Sequence, residues 1–159
     1  MTAQRTVMLA PVELTHLDAL LQQFLSLLDA PSPAADPAIA RLVPAGYRED
    51  QSAAQEFRRL TEGDLLATRR RDAERVRATL AASDAAAPDS AAFSETPCEV
   101  VLDAESTAAW LRTLTALRLV LAERLGIVTD ADHHPDDPRF SVYEWVGYRL
   151  ELLLQDLDA

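Results

Sequence analysis

The sequence has no lysine; all fifteen of its basic residues are arginine. Together with an excess of alanine this reads as the codon bias of a GC-rich genome and carries no function. Cysteine is nearly absent too. The single Cys98 cannot close a bridge within the chain, which excludes disulfide stabilisation and makes a reducing, cytoplasmic setting the expectation. Only four glycines are present, and none falls in a phosphate-cradling loop or a dinucleotide-binding fingerprint. No Gly-x-Ser-x-Gly elbow occurs, and three histidines, two of them adjacent, leave little material for acid–base chemistry. No apolar run approaches the roughly 20 residues that cross a bilayer. The apolar stretch between Met1 and Glu13 is too short for a secretion signal. Neither a membrane nor a cofactor is expected.

What is present favours a folded, helical chain. Apolar residues make up 48% of it, far above what a disordered chain carries, and 159 residues can bury one core as a single domain spanning 1–159. Alanine and leucine, its most abundant apolar residues, are among the best helix formers. The net charge of −11 repels phosphate backbones and anionic lipid, so nucleic acid is not an expected partner. One segment runs against that balance: residues 58–77 hold seven arginines against four acids. Arg69, Arg70 and Arg71 form its candidate basic surface, and the i,i+3 pairs Asp72–Arg75 and Glu74–Arg77 read as a solvated helix face.

Local signals predict about five or six helices and one small β element. Residues 5–9 and 98–102 are β-prone, and pairing them satisfies backbone groups that either strand alone would leave open. Pro11 at a first helical position opens a helix to about Leu28, with Leu14, Leu17, Leu21, Phe24, Leu25 and Leu28 on one face. Asp36-Pro37 opens a short helix through Val43, before a break at Pro44 and Gly46. From about Asp50 to Ala82, with Phe57 and Leu60, the pattern allows two helices meeting at Gly63 or one long bent helix. Residues 83–97, rich in Ala, Ser, Asp and Pro, read as a mobile loop. Asp103 caps a long helix that stops at Gly126, and a last helix runs from about Ser141 to Leu157.

Three groups of residues could carry a role. Arg118 projects into the apolar arc of its helix, which predicts a partly buried guanidinium in a structural ion pair with Glu56. On the last helix Tyr143, Val146, Leu150, Leu153, Leu154 and Leu157 form the expected core stripe, while Trp145, Tyr148 and Leu152 make a second apolar face, the candidate interface. The acidic loop 130–137, with His133 and His134, invites a metal-dependent hydrolase as an alternative. Counted from Asp130, however, it has Pro135 where a calcium loop needs glycine and Ser141 where it needs an acid, so no metal is expected.

Glu56-Phe57-Arg58-Arg59-Leu60-Thr61, Trp110-Leu111, Leu117-Arg118-Leu119-Val120-Leu121, Arg124-Leu125-Gly126 and Tyr143 with Trp145 together resemble an actinobacterial family of unknown function. Its members are often encoded beside the ClpS adaptor. The resemblance implies an oxidative-stress regulator that acts through protein contacts, and it assigns no active site. The functional expectation is therefore a non-enzymatic regulatory or adaptor protein with a protein partner, for which a homodimer is one form.

Overall fold

The computed structural model describes residues 3–43, 51–86 and 95–159, with the backbone alone at 51–55, 57–60 and 85–86. Strand β1 (Arg5–Leu9) leads into helix α1 (Pro11–Leu28), followed by the one-turn helix α2 (Pro37–Ala40) and the long helix α3 (Gln51–Ala86). Strand β2 (Cys98–Leu102), α4 (Ala104–Leu125) and α5 (Ser141–Asp158) complete the order. The chain is mainly helical, with one two-stranded antiparallel sheet.

The strands pair as expected, in a register that sets Arg5 opposite Leu102 and Leu9 opposite Cys98. Side chains alternate across a strand, so this register sends Val7, Leu9, Val100 and Leu102 inward and leaves Met8 and Val101 about half exposed. A two-stranded ribbon has two open edges, and each takes a side-chain hydrogen bond from a helix. Arg149 Nη1 donates to the Met8 carbonyl at 3.0 Å on one side, and Ser83 Oγ donates to the Glu99 carbonyl at 2.9 Å on the other.

The end signals work as read. The Asp36 and Asp103 side chains accept backbone N–H groups of Ala38 and Ser106, at 2.9 and 2.7 Å. Gly126 closes α4 at φ 72°, a left-handed conformation that a side chain would strain. Of the two forms open for about Asp50 to Ala82, the chain adopts the single helix, unbroken from Gln51 to Ala86. Gly63 costs such a helix about 1 kcal/mol, but its missing Cβ faces open space and nothing there forces a break. The helix also continues through Ser83 to Ala86, so these residues, expected to be loop, are helical. Of that loop, 95–97 carry no regular structure, and 87–94, the break at Pro44 and Gly46 and the side chains of Phe57 and Leu60 lie outside the described residues.

One apolar cluster runs through β1, β2 and helices α1 to α5, with Trp110 of α4 the largest of its fully buried side chains. α3 packs against both α1 and α4, placing Leu66, Ala73, Val76 and Leu80 in the core, and α5 packs on α4. Three arginines of α3 turn outward from this seam to acids on its neighbours: Arg77 to Asp18 at 2.8 Å, Arg75 to Glu105 at 2.8 Å, and Arg70 to Asp29. Asp72 is itself buried and takes a two-pronged contact from Arg112 at 2.7 and 2.9 Å. Thr113 has the opposite problem, since its hydroxyl is buried without a hydrogen-bond partner among the described residues. Thr113→Val is expected to raise stability by about 1 kcal/mol, because an unsatisfied buried hydroxyl carries its full desolvation cost. Urea denaturation would measure it.

Candidate functional site

α5 meets the start of α1 through one carboxylate. Glu13 occupies the third helical position, Pro11 being the first, and the N-cap residue Ala10 offers no capping side chain, so the Glu13 Oε2 atom takes the Ala10 N–H at 2.8 Å. The same carboxylate accepts Trp145 Nε1 at 2.8 Å and Arg149 Nη2 at 2.6 and 2.7 Å. Burial alone would raise its pKa. The hydrogen bonds from Arg149, Trp145 and Ala10 outweigh that and pull it from 4.5 down to about 2. The Arg149 guanidinium lies 5.8 Å from the Trp145 ring and 5.7 Å from that of Tyr148, within reach of both aromatic faces. One carboxylate thus fixes the first turn of α1, the indole of Trp145 and the arginine that covers the edge of β1.

Beside this clamp the two helices do not close on each other. An open trough of about 530 Å³ lies between them, lined on α1 by Glu13, His16, Ala19, Leu20 and Gln23 and on α5 by Ser141, Val142 and Trp145. From Glu13 to Gln23 it follows about 15 Å of helix. Most of its lining is apolar, and Val12, Val142 and Tyr148 stand exposed on these helices at 58%, 44% and 56%. Such a surface excludes water poorly on its own and gains by being covered. The polar groups in it are few. Glu13 is spent on the clamp, leaving His16, Gln23 and Ser141.

A family model described as "Domain of unknown function (DUF2017)" matches residues 2–157. The chain belongs to that family. No curated protein and no solved structure matches it. The DUF2017 match covers both helices of the trough and all of the clamp, and brings no assigned activity to either.

Placed in this DUF2017 fold, the residues singled out from sequence fall apart from one another. Arg118 and Glu56 are both exposed, and no ion pair joins them among the described residues. The guanidinium instead slides along Gly147, whose missing Cβ leaves room for it, and sits 4.9 Å from the Tyr143 ring. The second face of α5 is split. Trp145 and Leu152 are half-buried against β1 and α1, while Tyr148 stays exposed. Leu154 and Leu157, expected in the core stripe, are the exposed leucines of this helix at 47% and 40%. Arg69, Arg70 and Arg71 diverge rather than forming a patch: Arg69 turns to the Arg112 carbonyl, Arg70 to Asp29 and Glu74, and Arg71 to Thr68.

The acidic loop is occupied with its own folding. Asp132 Oδ2 accepts the N–H groups of Val128 and Thr129, each at 2.9 Å, and these bonds hold its pKa below the usual carboxylate range. Asp137 is held low chiefly by Arg139, whose backbone N–H it also accepts. His133 bonds Glu144 at 2.9 Å with its ring edge-on to Phe140 and Tyr143. Among the described residues no three metal-binding side chains converge. Cys98 stands half-buried at the start of β2. No described helix is long and apolar enough to cross a membrane.

Proposed function

We propose that this chain is a non-enzymatic regulatory or adaptor protein, and that it works by receiving an amphipathic helix of a partner protein in the α1/α5 trough. The observation that supports this reading most is the trough itself: apolar, open along its side, and about three helical turns long. A small-molecule site of that volume would need several convergent polar groups to orient its ligand, and the strongest one here is consumed by Trp145 and Arg149. The net charge of −11 adds a selection rule. A partner helix with arginine or lysine flanking its apolar stripe is steered toward the protein, and an acidic one is repelled. In a cytoplasmic setting, an oxidative-stress role of the kind the family resemblance implies would act through Cys98, whose thiolate attacks a disulfide of another molecule to form a mixed disulfide and release that molecule's second sulfur as a thiolate.

The chain's two tryptophans make a direct test possible. Trp110 is fully buried and Trp145 borders the trough, so a Trp110→Phe background reports the trough alone. Titration with a designed cationic amphipathic helix should blue-shift Trp145 emission, weaken with added salt and fail in Val142→Asp. Unchanged emission at saturating peptide would count against the reading.

A further inference from the structure

A second surface lies on the opposite side of α5 from the trough and calls for a different occupant. In an antiparallel helix pair the neighbours can be read from spacing. Tyr143 packs with Ala122 and Leu125, and Gly147 lies against Arg118, so α5 runs back along α4. On α4 the stripe through Arg118 is Leu111, Thr115 and Arg118; on α5 the stripe through Gly147 is Gly147, Glu151 and Leu154. These two rows form the outer seam of the pair. Leu154 is 47% exposed there, with Leu157 one turn further on at 40%.

The seam also holds two charges of opposite sign without ionic partners among the described residues. Arg118 touches the Tyr143 ring and no carboxylate among the described residues, and Glu151 meets only the Gln155 amide, at 3.4 Å. Every other arginine of α4 and α5 has found an acid: Arg112 with Asp72, Arg124 with Asp36, Arg149 with Glu13. A surface that carries apolar residues and both members of a charge pair, unmatched among the described residues, is complementary to itself.

We infer that the α4/α5 seam is a two-fold interface with a second copy of this chain, in which Arg118 meets Glu151 of the partner subunit. Two antiparallel helix pairs packed face to face give a four-helix arrangement, and a two-fold axis forms the Arg118 contact twice. An 18-residue α5 beside α4 offers a face about 27 Å by 20 Å, which over two copies approaches the roughly 1,000 Å² that a specific interface requires. Because the trough faces away from this seam, the dimer would present two troughs.

The test is sedimentation velocity of the full chain over a concentration series, with far-UV circular dichroism as the control for folding. Wild type should dimerise with a dissociation constant in the micromolar range, about what a small interface of this polarity supports. Arg118→Glu and Glu151→Arg should each weaken it at least roughly tenfold, and the double reversal should recover most of that loss. Leu154→Asp, on an exposed side chain that the fold does not need, should leave a folded monomer. A wild type that stays monomeric to about 100 µM, or a dimer indifferent to Leu154→Asp and to both single reversals, overturns the inference.

Discussion

Glu13→Gln should destabilise the protein by about 2–3 kcal/mol at neutral pH, and the difference from wild type should close in acid. The amide can still accept the Trp145 indole N–H, but it cannot neutralise Arg149, whose side chain is only 15% exposed. The variant therefore leaves a largely buried guanidinium without its counter-charge. The pH dependence follows from the depressed carboxyl. With a folded pKa of about 2 against an ordinary 4.5, Glu13 contributes its full stabilisation above pH 4.5 and loses it as pH falls toward 2. Wild type and Glu13→Gln should thus converge across that window. Asp18 and Asp36, likewise held low by Arg77 and Arg124, are unchanged between the two proteins and cancel in the comparison. Urea midpoints at pH 7, 4.5, 3 and 2.5 would measure the gap, and a constant one across that range would contradict the clamp.

Trp110→Ala should cost more, about 3–5 kcal/mol, which approaches the whole stability of a domain this size. Trp110 is 1% exposed, and its Nε1 donates at 3.0 Å to Thr79 Oγ1, which in turn donates to the Val76 carbonyl at 2.6 Å. Truncation opens a cavity where α3, α4 and the β1 side of α5 come together and strands that polar chain. Trp110→Phe keeps most of the volume and loses the hydrogen bond, so it should cost about 1–2 kcal/mol. Equal losses for the two substitutions, read by chemical denaturation, would place Trp110 outside the core. The milder variant is also the background for the fluorescence titration, so this ranking has a practical use.

The sequence makes the local decisions of this fold legible and hides the distant ones. The strand segments themselves, the Asp36 and Asp103 caps, Pro11 and Gly126 are each set by a few neighbouring residues, and each is where spacing predicts it; the pairing of the two strands, some 90 residues apart, is legible only because the chain offers two β-prone stretches to join. Arg118 shows where that stops. A helical projection gives the direction of a side chain but not its depth, and Gly147 on another helix lets the guanidinium escape along the seam. The two apolar arcs of α5 present the same difficulty. Periodicity finds both and the Val146 and Leu153 arc does turn inward, but the half-burial of the other at Trp145 involves Glu13, far away in sequence, which holds Trp145 and Arg149. Asp72 and Arg77 have plausible partners a turn away and are instead paired with Arg112 and Asp18 across helix contacts. The trough was missed for the same reason. Its two walls are ordinary amphipathic helices, and its existence is a matter of how far apart they stand.

Site-specific photo-crosslinking in the native cell tests the docking reading most directly. A crosslinking residue replaces Val142 in the trough and, as a control, exposed Thr68 on α3. The trough position should capture one segment reproducibly, with apolar residues at i, i+4 and i+7 flanked by basic ones, and Thr68 should not. Equal, scattered adducts from both positions, or none from Val142, would contradict it.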